Sequence, residues 1–338
     1  MRLLHRRKRE TARKLNRGSC DAAGANPAAE LFCWLLCLTW YSQPMMETDL
    51  KFFTSWRRNT CGTIVAVGLL LASCEGRVTA DLATEAPADP EVQQVLAGLS
   101  GVQFRTSGSG TESIEFTDSE LVDLMDYLSG TPLRLLTDEV LPEGTYTGVR
   151  LIFDDEEDTR VIRTDGGEVP VVLAEGDYAD ADFTVEEDER SNESLTLTLD
   201  LRQSLRFDDD AAESTLTPEL RSVRTDDAGR IEGFVDVDCP SDSSLIQGGA
   251  MYLFNGHDVE PDDLDNSDVE LYLTTAVSTD AFGTSLVYAL RFLPEGDYTI
   301  ALTCRGDEDD LGDDDDLDFQ NVENIVLDGG ETLNHDID

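Results

Sequence analysis

Carboxylates are the densest chemistry in this 338-residue chain. Two stretches crowd them together, EPDDLDNSD at 260–268 and GDEDDLGDDDDLD at 306–318. A hard cation such as Ca2+ takes about six to eight oxygen ligands. In the second stretch Asp307, Asp309, Asp313 and Asp315 are the candidate ligands. An EF-hand register starting at Asp307 puts Leu311 where an oxygen is required, so that motif fails. The competing reading is a pair of acidic loops solvated in salt. A calorimetric titration separates the two, and no heat at millimolar Ca2+ would end the metal reading. Catalytic groups are scarce. Beyond residue 74 there are two histidines, His257 in a polar loop and His335 near the C-terminus. No G-x-S-x-G, H-E-x-x-H or P-loop pattern occurs. Asp258 and Glu260 follow His257 as acids would in any solvated loop. No catalytic residue is expected.

One cysteine carries a sharper signal. Cys74 follows Leu71-Ala72-Ser73, an apolar run at 61–71 (CGTIVAVGLLL) and the basic residues Lys51, Arg57 and Arg58. A basic segment, a short apolar stretch and a small-residue cleavage site make a signal peptide. Leu-Ala-Ser-Cys resembles the lipobox of bacterial lipoproteins. The resemblance implies that the Cys74 thiol is lipidated, the bond before it is cut and the new amino terminus is acylated. Only a thiol gives the thioether, and small residues let the peptidase approach the backbone. The apolar run is about half the roughly 20 residues that span a bilayer, and several acyl chains anchor stably where one does not. Glu75 follows the cysteine. In enterobacterial lipoproteins an aspartate there favours the inner membrane, so its absence points to the outer membrane, facing the periplasm or the surface. Residues 46–73 are therefore expected to be the signal peptide. Residues 1–45 are expected to be an over-extended, disordered N-terminus, with Met45 and Met46 offering later starts.

Charge and cysteine use change at the same point. Eleven of the 25 basic residues but only five of the 71 acidic ones precede Cys74. That leaves 14 basic against 66 acidic residues from Cys74 onward, and all 14 are arginine. Such a surface repels nucleic-acid phosphates, so nucleic acid is excluded as a partner. Of the seven cysteines, Cys20, Cys33, Cys37 and Cys61 lie upstream, and only Cys239 and Cys304 remain beyond Cys74. In an oxidising compartment these two are expected to pair. Two separate buried thiols are the alternative.

The elements that would carry these groups are strands. After a tether at 74–77, VTADL alternates like a first strand, and TEAPADP reads as a turn. EVQQVLAGLSGVQFR is ambiguous between helix and strand. Thr117 or Asp118 could cap a short helix with Leu121, Leu124, Met125 and Leu128 on one face and Gly130 ending it. From 160 on, short strands alternate with Asp/Gly/Glu turns. SLTLTLDL is the clearest: Leu195, Leu197, Leu199 and Leu201 point one way, Thr196, Thr198 and Asp200 the other. Asp226-Asp227-Ala228-Gly229 marks a boundary, and strands resume with RIEGFVDVDC.

LPEGTYT at 141–147 recurs as LPEGDYT at 293–299, six of seven residues identical. Proline and glycine make the turn and tyrosine and threonine start a strand. Each tyrosine is expected to lay its ring over the sandwich edge with its hydroxyl on a backbone group. The apolar phase differs after the two copies, so a β-bulge is expected near Gly148.

Residues 78–225 resemble a bacterial lipoprotein family named domain of unknown function 4382. The resemblance is carried by LPEGTYTGVRLIF, LTLTLDLRQSLRF and LTPELRSV. It implies an all-β domain outside the cytoplasm and transfers no catalytic residue. The C-terminal part more faintly resembles carboxypeptidase-regulatory or prealbumin-like modules. The chain is thus expected to be all-β, with two β-sandwich (Ig-like or prealbumin-like) domains at 78–225 and 229–338 and at most one short helix. Its expected role is a non-catalytic binding or structural module for a protein or glycan, anchored through Cys74. The alternatives are a calcium-stabilised adhesion stalk and an envelope hydrolase.

Overall fold

Among the described residues strand follows strand, in four sheets. The computed structural model describes residues 76–338 apart from 129, 155–158, 187–191, 208–212, 241–242, 265–268 and 270. Cys74 and the expected signal lie outside the described residues. The first sheet has the order β12 (Leu220–Arg224), β9 (Asn192–Asp200), β1 (Gly76–Glu85), β4 (Leu133–Leu141). The second runs β10 (Leu205–Phe207), β11 (Ser214–Leu216), β7 (Glu168–Leu173), β6 (Arg160–Arg163), β2 (Val92–Thr106), β5 (Gly144–Phe153), β8 (Ala179–Val185), with β3 (Thr111–Asp123) also paired to β2. The third is β16 (Ser278–Thr279), β17 (Leu286–Leu293), β13 (Gly229–Phe234), β20 (Thr332–Asn334). The fourth is β15 (Leu271–Ala276), β14 (Ala250–Asn255), β18 (Gly296–Thr303), β19 (Gln320–Leu327). A one-turn helix, α1 (Leu201–Ser204), follows β9. The fold is all-β, built of β-sandwiches.

Each pair of sheets closes on a core supplied by alternating residues. In the first pair, Val78, Ala80 and Leu82 of β1 and Leu195, Leu197 and Leu199 of β9 meet Val95, Val102 and Phe104 of β2 and Tyr146, Val149 and Leu151 of β5. Fully burying each such large apolar side chain contributes roughly 1.5–3 kcal/mol. In the second pair, Ile231 of β13 and Leu290 of β17 pack with Met251 and Leu253 of β14 and Ile300 and Leu302 of β18. Cys239 and Cys304 are disulfide-bonded, with Cα atoms 5.8 Å apart. The bond ties the segment after β13 to the end of β18.

β1 and β9 pair in parallel, Arg77 opposite Asn192 through Glu85 opposite Asp200. Parallel strands need cover on both faces, and this pair has it. Thr196, Thr198 and Asp200, on the face away from the leucines, are as buried as the leucines. β15 and β17 lie against that face. The described residues of 76–338 accordingly fall within one compact unit.

The two LPEG-Tyr turns are built alike. Tyr146 donates its hydroxyl to Pro142 O at 2.8 Å, and Tyr298 donates to Pro294 O at 2.9 Å. Each ring thereby closes over its own turn. Both rings sit inside the cores and not over an edge, because the backbone acceptor four residues back lets the ring go in with its hydroxyl satisfied. The expected bulge is present. Thr106 pairs with Tyr146 and Arg105 with Gly148, so Thr147 is the extra residue. It lets Tyr146 and Val149, an odd number of positions apart, both reach the core.

The helix expected from 118 is a strand. Residues 120–123 continue β3, with Glu120 opposite Leu99 and Asp123 opposite Leu96. The ambiguous stretch before it is one long strand, β2, and a long strand offers a ladder that outweighs the weak helical spacing. Only Leu124–Tyr127 turns, as a 3-10 helix capped by the Asp123 carboxylate on Met125 N at 3.1 Å. Gly130 ends the segment with φ +83°, a conformation glycine adopts without strain.

Candidate functional site at the junction of the two sheet pairs

The polar face of β1, β9 and β12 meets β15 and β17, and this junction buries charged and polar side chains. Asp200 ends β9 and is fully buried. It caps α1 by accepting from Arg202 N (3.0 Å) and Gln203 N (3.3 Å), and it accepts from Gln203 Nε2 at 2.8 Å. Its other neighbours belong to β15: Thr274 donates from its amide at 3.2 Å and from its hydroxyl at 3.3 Å. Arg221 of β12 lies 3.9 Å away, stacks over the Tyr272 ring and donates to Leu271 O at 3.4 Å. One carboxylate therefore organises groups from both sheet pairs. A second buried link lies beside it. Arg202 donates to Gly306 O and to the Tyr252 hydroxyl (3.3 Å), and that hydroxyl donates to Asp309. Burial pushes the Tyr252 hydroxyl well above its ordinary value, and burial also raises Asp309.

Next to this network a cleft of about 740 Å³ opens. Its floor is the outer face of the β13–β17 pair. Register sets Arg230 opposite Arg291, Glu232 opposite Ala289 and Phe234 opposite Val287. Glu85, Ala86 and Leu128 come from the first sheet pair, and Thr275 and Ala276 from β15. Glu85 is 5% exposed. Burial, and then the charge of Asp200, push its carboxyl up to about 8; a hydrogen bond to Thr275 and the charges of Arg291 and Arg221 pull the other way and lose. A carboxyl whose folded pKa exceeds its unfolded value holds its proton better in the folded state. Its contribution is therefore present at low pH and is lost as pH rises from about 4.5 to about 8. Glu85→Gln, which copies the protonated form, should flatten thermal stability across that window and melt above the parent at pH 8. Parallel melting curves at pH 5 and pH 8 check this, and an unchanged slope would refute it.

The candidate metal ligands separate into two groups. Asp309 and Asp315 come together, joined by Asp263 of the other acidic stretch, with one oxygen from each within 4.8 Å of the others. Asp307 and Asp313 are not in that group. Asp315 N donates to Asp263, and Leu264 N donates to Asp309 Oδ1 at 3.2 Å, so the two acidic loops are tied to each other. The three carboxylates are the residues here that could hold a hard cation. The histidines lie apart. His257 Nε2 is 3.2 Å from Ile325 O, and His335 Nε2 is 3.5 Å from Glu323. Neither is hydrogen-bonded to a serine, threonine or cysteine among the described residues. Glu85, Asp200, Arg230 and Arg291 carry no motif, since strands distant in sequence bring them together. The one local hint was Asp200, a carboxylate closing an alternating Leu-Thr strand.

No helix among the described residues is long and apolar enough to cross a membrane. No curated protein matches the chain. Solved structures similar to it include the Bacillus anthracis TIE protein, with 10% identity, TM-score 0.18, and coverage of 78% of this chain and 33% of that one. The chain thus spans a third of that relative's length. GBS52, the minor pilin of Streptococcus agalactiae, has 12% identity, TM-score 0.19, and coverage of 77% and 94%. A fimbrial protein from Bacteroides ovatus has 10% identity, TM-score 0.19, and coverage of 79% and 49%. The sequence of the first sheet pair is more telling: residues 75–218 match the model of the family described as Domain of unknown function (DUF4382).

Proposed function

We propose that this chain is an envelope lipoprotein, anchored in the outer membrane through Cys74, whose folded body is a non-catalytic binding module. Two sandwich modules, 78–225 and 229–338, are held as one body by the Asp200 network, and the junction cleft is where a ligand binds. The observation that carries this reading is the position of β1. It begins at Gly76, two residues after Cys74. Two residues reach at most about 7 Å, so a lipid on Cys74 would hold the start of β1 at the membrane surface. β1 then runs ten residues to Glu85, roughly 33 Å at the usual rise per residue. The cleft lies at that distal end, away from the anchor.

The polar shell around the cleft favours binding over catalysis. Glu85 could hold or give a proton, but a hydrolase also needs a nucleophile with a base beside it. The Tyr288 hydroxyl is engaged with His335 O at 2.7 Å. Cys74→Ser tests the anchor. The parent protein should fractionate with membranes and be released by detergent, while the variant should appear in the soluble envelope fraction with the same melting temperature. A variant that stays in the membrane fraction would contradict the reading.

A further inference from the structure

We propose that the junction cleft binds a carboxylate-bearing saccharide, with the sugar carboxylate held between Arg230 and Arg291. This rests on reading the cleft as the ligand site.

The two arginines are the first observation. They face each other directly across the antiparallel β13–β17 ladder, a placement that destabilises a sheet unless something of opposite charge lies between. Glu232 engages Arg230 through Nη2, but the Arg230 Nε is buried and has no partner among the described residues. Arg291 donates one hydrogen bond there, from Nη1 to Ala289 O at 3.2 Å. A guanidinium carries five donors in a planar fork that fits a carboxylate. The Arg291 fork therefore has donors to spare at this end of the cleft, in a chain whose formal net charge is −46.

The rest of the floor has the opposite chemistry. Glu232, Asp336 and Asn334 line it, and carboxylates only accept. They suit a partner with many hydroxyl donors. Phe234 is 54% exposed on the same face as Arg230 and Glu232, beside Val287 and Ala289. It offers an apolar ring to the apolar face of another ring. A ligand with one carboxylate, several hydroxyls and an apolar ring face is a uronic-acid sugar. The surrounding negative field also favours a single negative charge over a phosphate, which carries about −1.5 to −2.

The test is calorimetry on the full-length protein in detergent with three probes: an oligogalacturonate, a neutral oligosaccharide of equal length and inorganic phosphate. The parent should bind the uronate, and the neutral sugar roughly tenfold more weakly or worse. Arg291→Gln should weaken uronate binding by a similar factor in a variant whose cooperative melting shows it folded. Arg291→Lys, which keeps the charge and loses the fork, should fall between. Equal affinity for the neutral sugar overturns the proposal. So does heat from phosphate alone; if Arg291→Gln removes that heat, the cleft remains a ligand site. Uronate binding that is the same in Arg291→Gln lies elsewhere on the protein and overturns both the proposal and the cleft reading. No heat with any probe overturns the proposal.

Discussion

Asp200→Ala should lower the melting temperature by roughly 10 °C. The carboxylate is fully buried and accepts from both sheet pairs, through Arg202, Gln203 and Thr274. Its loss removes the cap of α1 and leaves Arg221, whose side chain is 13% exposed, without its counter-charge. Breaking a buried pair by removing one partner costs about 3–5 kcal/mol, and a chain of this size loses roughly 2–4 °C per kcal/mol. Asp200→Asn keeps the shape and part of the hydrogen bonding and should fall between. The effect has a second signature, because the lost contacts join the two sheet pairs. Hydrogen exchange should quicken in β15 and at the ends of β9 and β12 before it quickens in either core. A variant that melts within about 2 °C of the parent would show that the junction does not depend on this carboxylate.

Removing the Cys239–Cys304 bond should cost a comparable amount. The cysteines are 65 residues apart, and in the chain-entropy account a loop of that length contributes about 4 kcal/mol. The double variant Cys239→Ser/Cys304→Ser should show a lower urea midpoint, and the loss should sit in the second sheet pair. The bond restrains β18, whose Ile300 and Leu302 are core residues. Reduction of the parent should reproduce the shift, and a midpoint unmoved by either treatment would refute the stabilising role.

Much of this architecture could be read from residue order, for local reasons. Leu195, Leu197 and Leu199 announce β9 because period-two alternation has one good solution. The LPEG-Tyr turns announce β5 and β18 because proline, glycine and tyrosine each fix one feature of the turn. The bulge at Thr147 could be inferred from two apolar phases that would otherwise clash. What could not be read is what lies against the other face of a strand. Thr196, Thr198 and Asp200 look like an exposed polar side, and the structure buries them under β15 and β17. Nothing within the Leu-Thr stretch signals that cover, because it comes from residues some 75 positions away, such as Thr274. The cleft is hidden for the same reason. Arg230 and Arg291 are opposite each other only after β13 and β17 pair, and Glu85 meets them only after the sheet pairs join. Of the four aspartates picked from the second acidic stretch, spacing cannot reveal that Asp309 and Asp315 meet Asp263, since Asp263 sits in another loop. The 118–128 segment misled because Leu121, Leu124, Met125 and Leu128 have helical spacing, while its decisive partner, the long strand β2, lies outside the window.

We propose that the folded body starts where a lipid anchor ends. The direct measurement is the mass of the N-terminal peptide of the protein purified from envelope membranes. That peptide should begin at Cys74 and carry the added mass of acyl chains, with no peptide from residues 1–73. An N-terminus upstream of Cys74, or an unmodified Cys74 in membrane-bound protein, would contradict it.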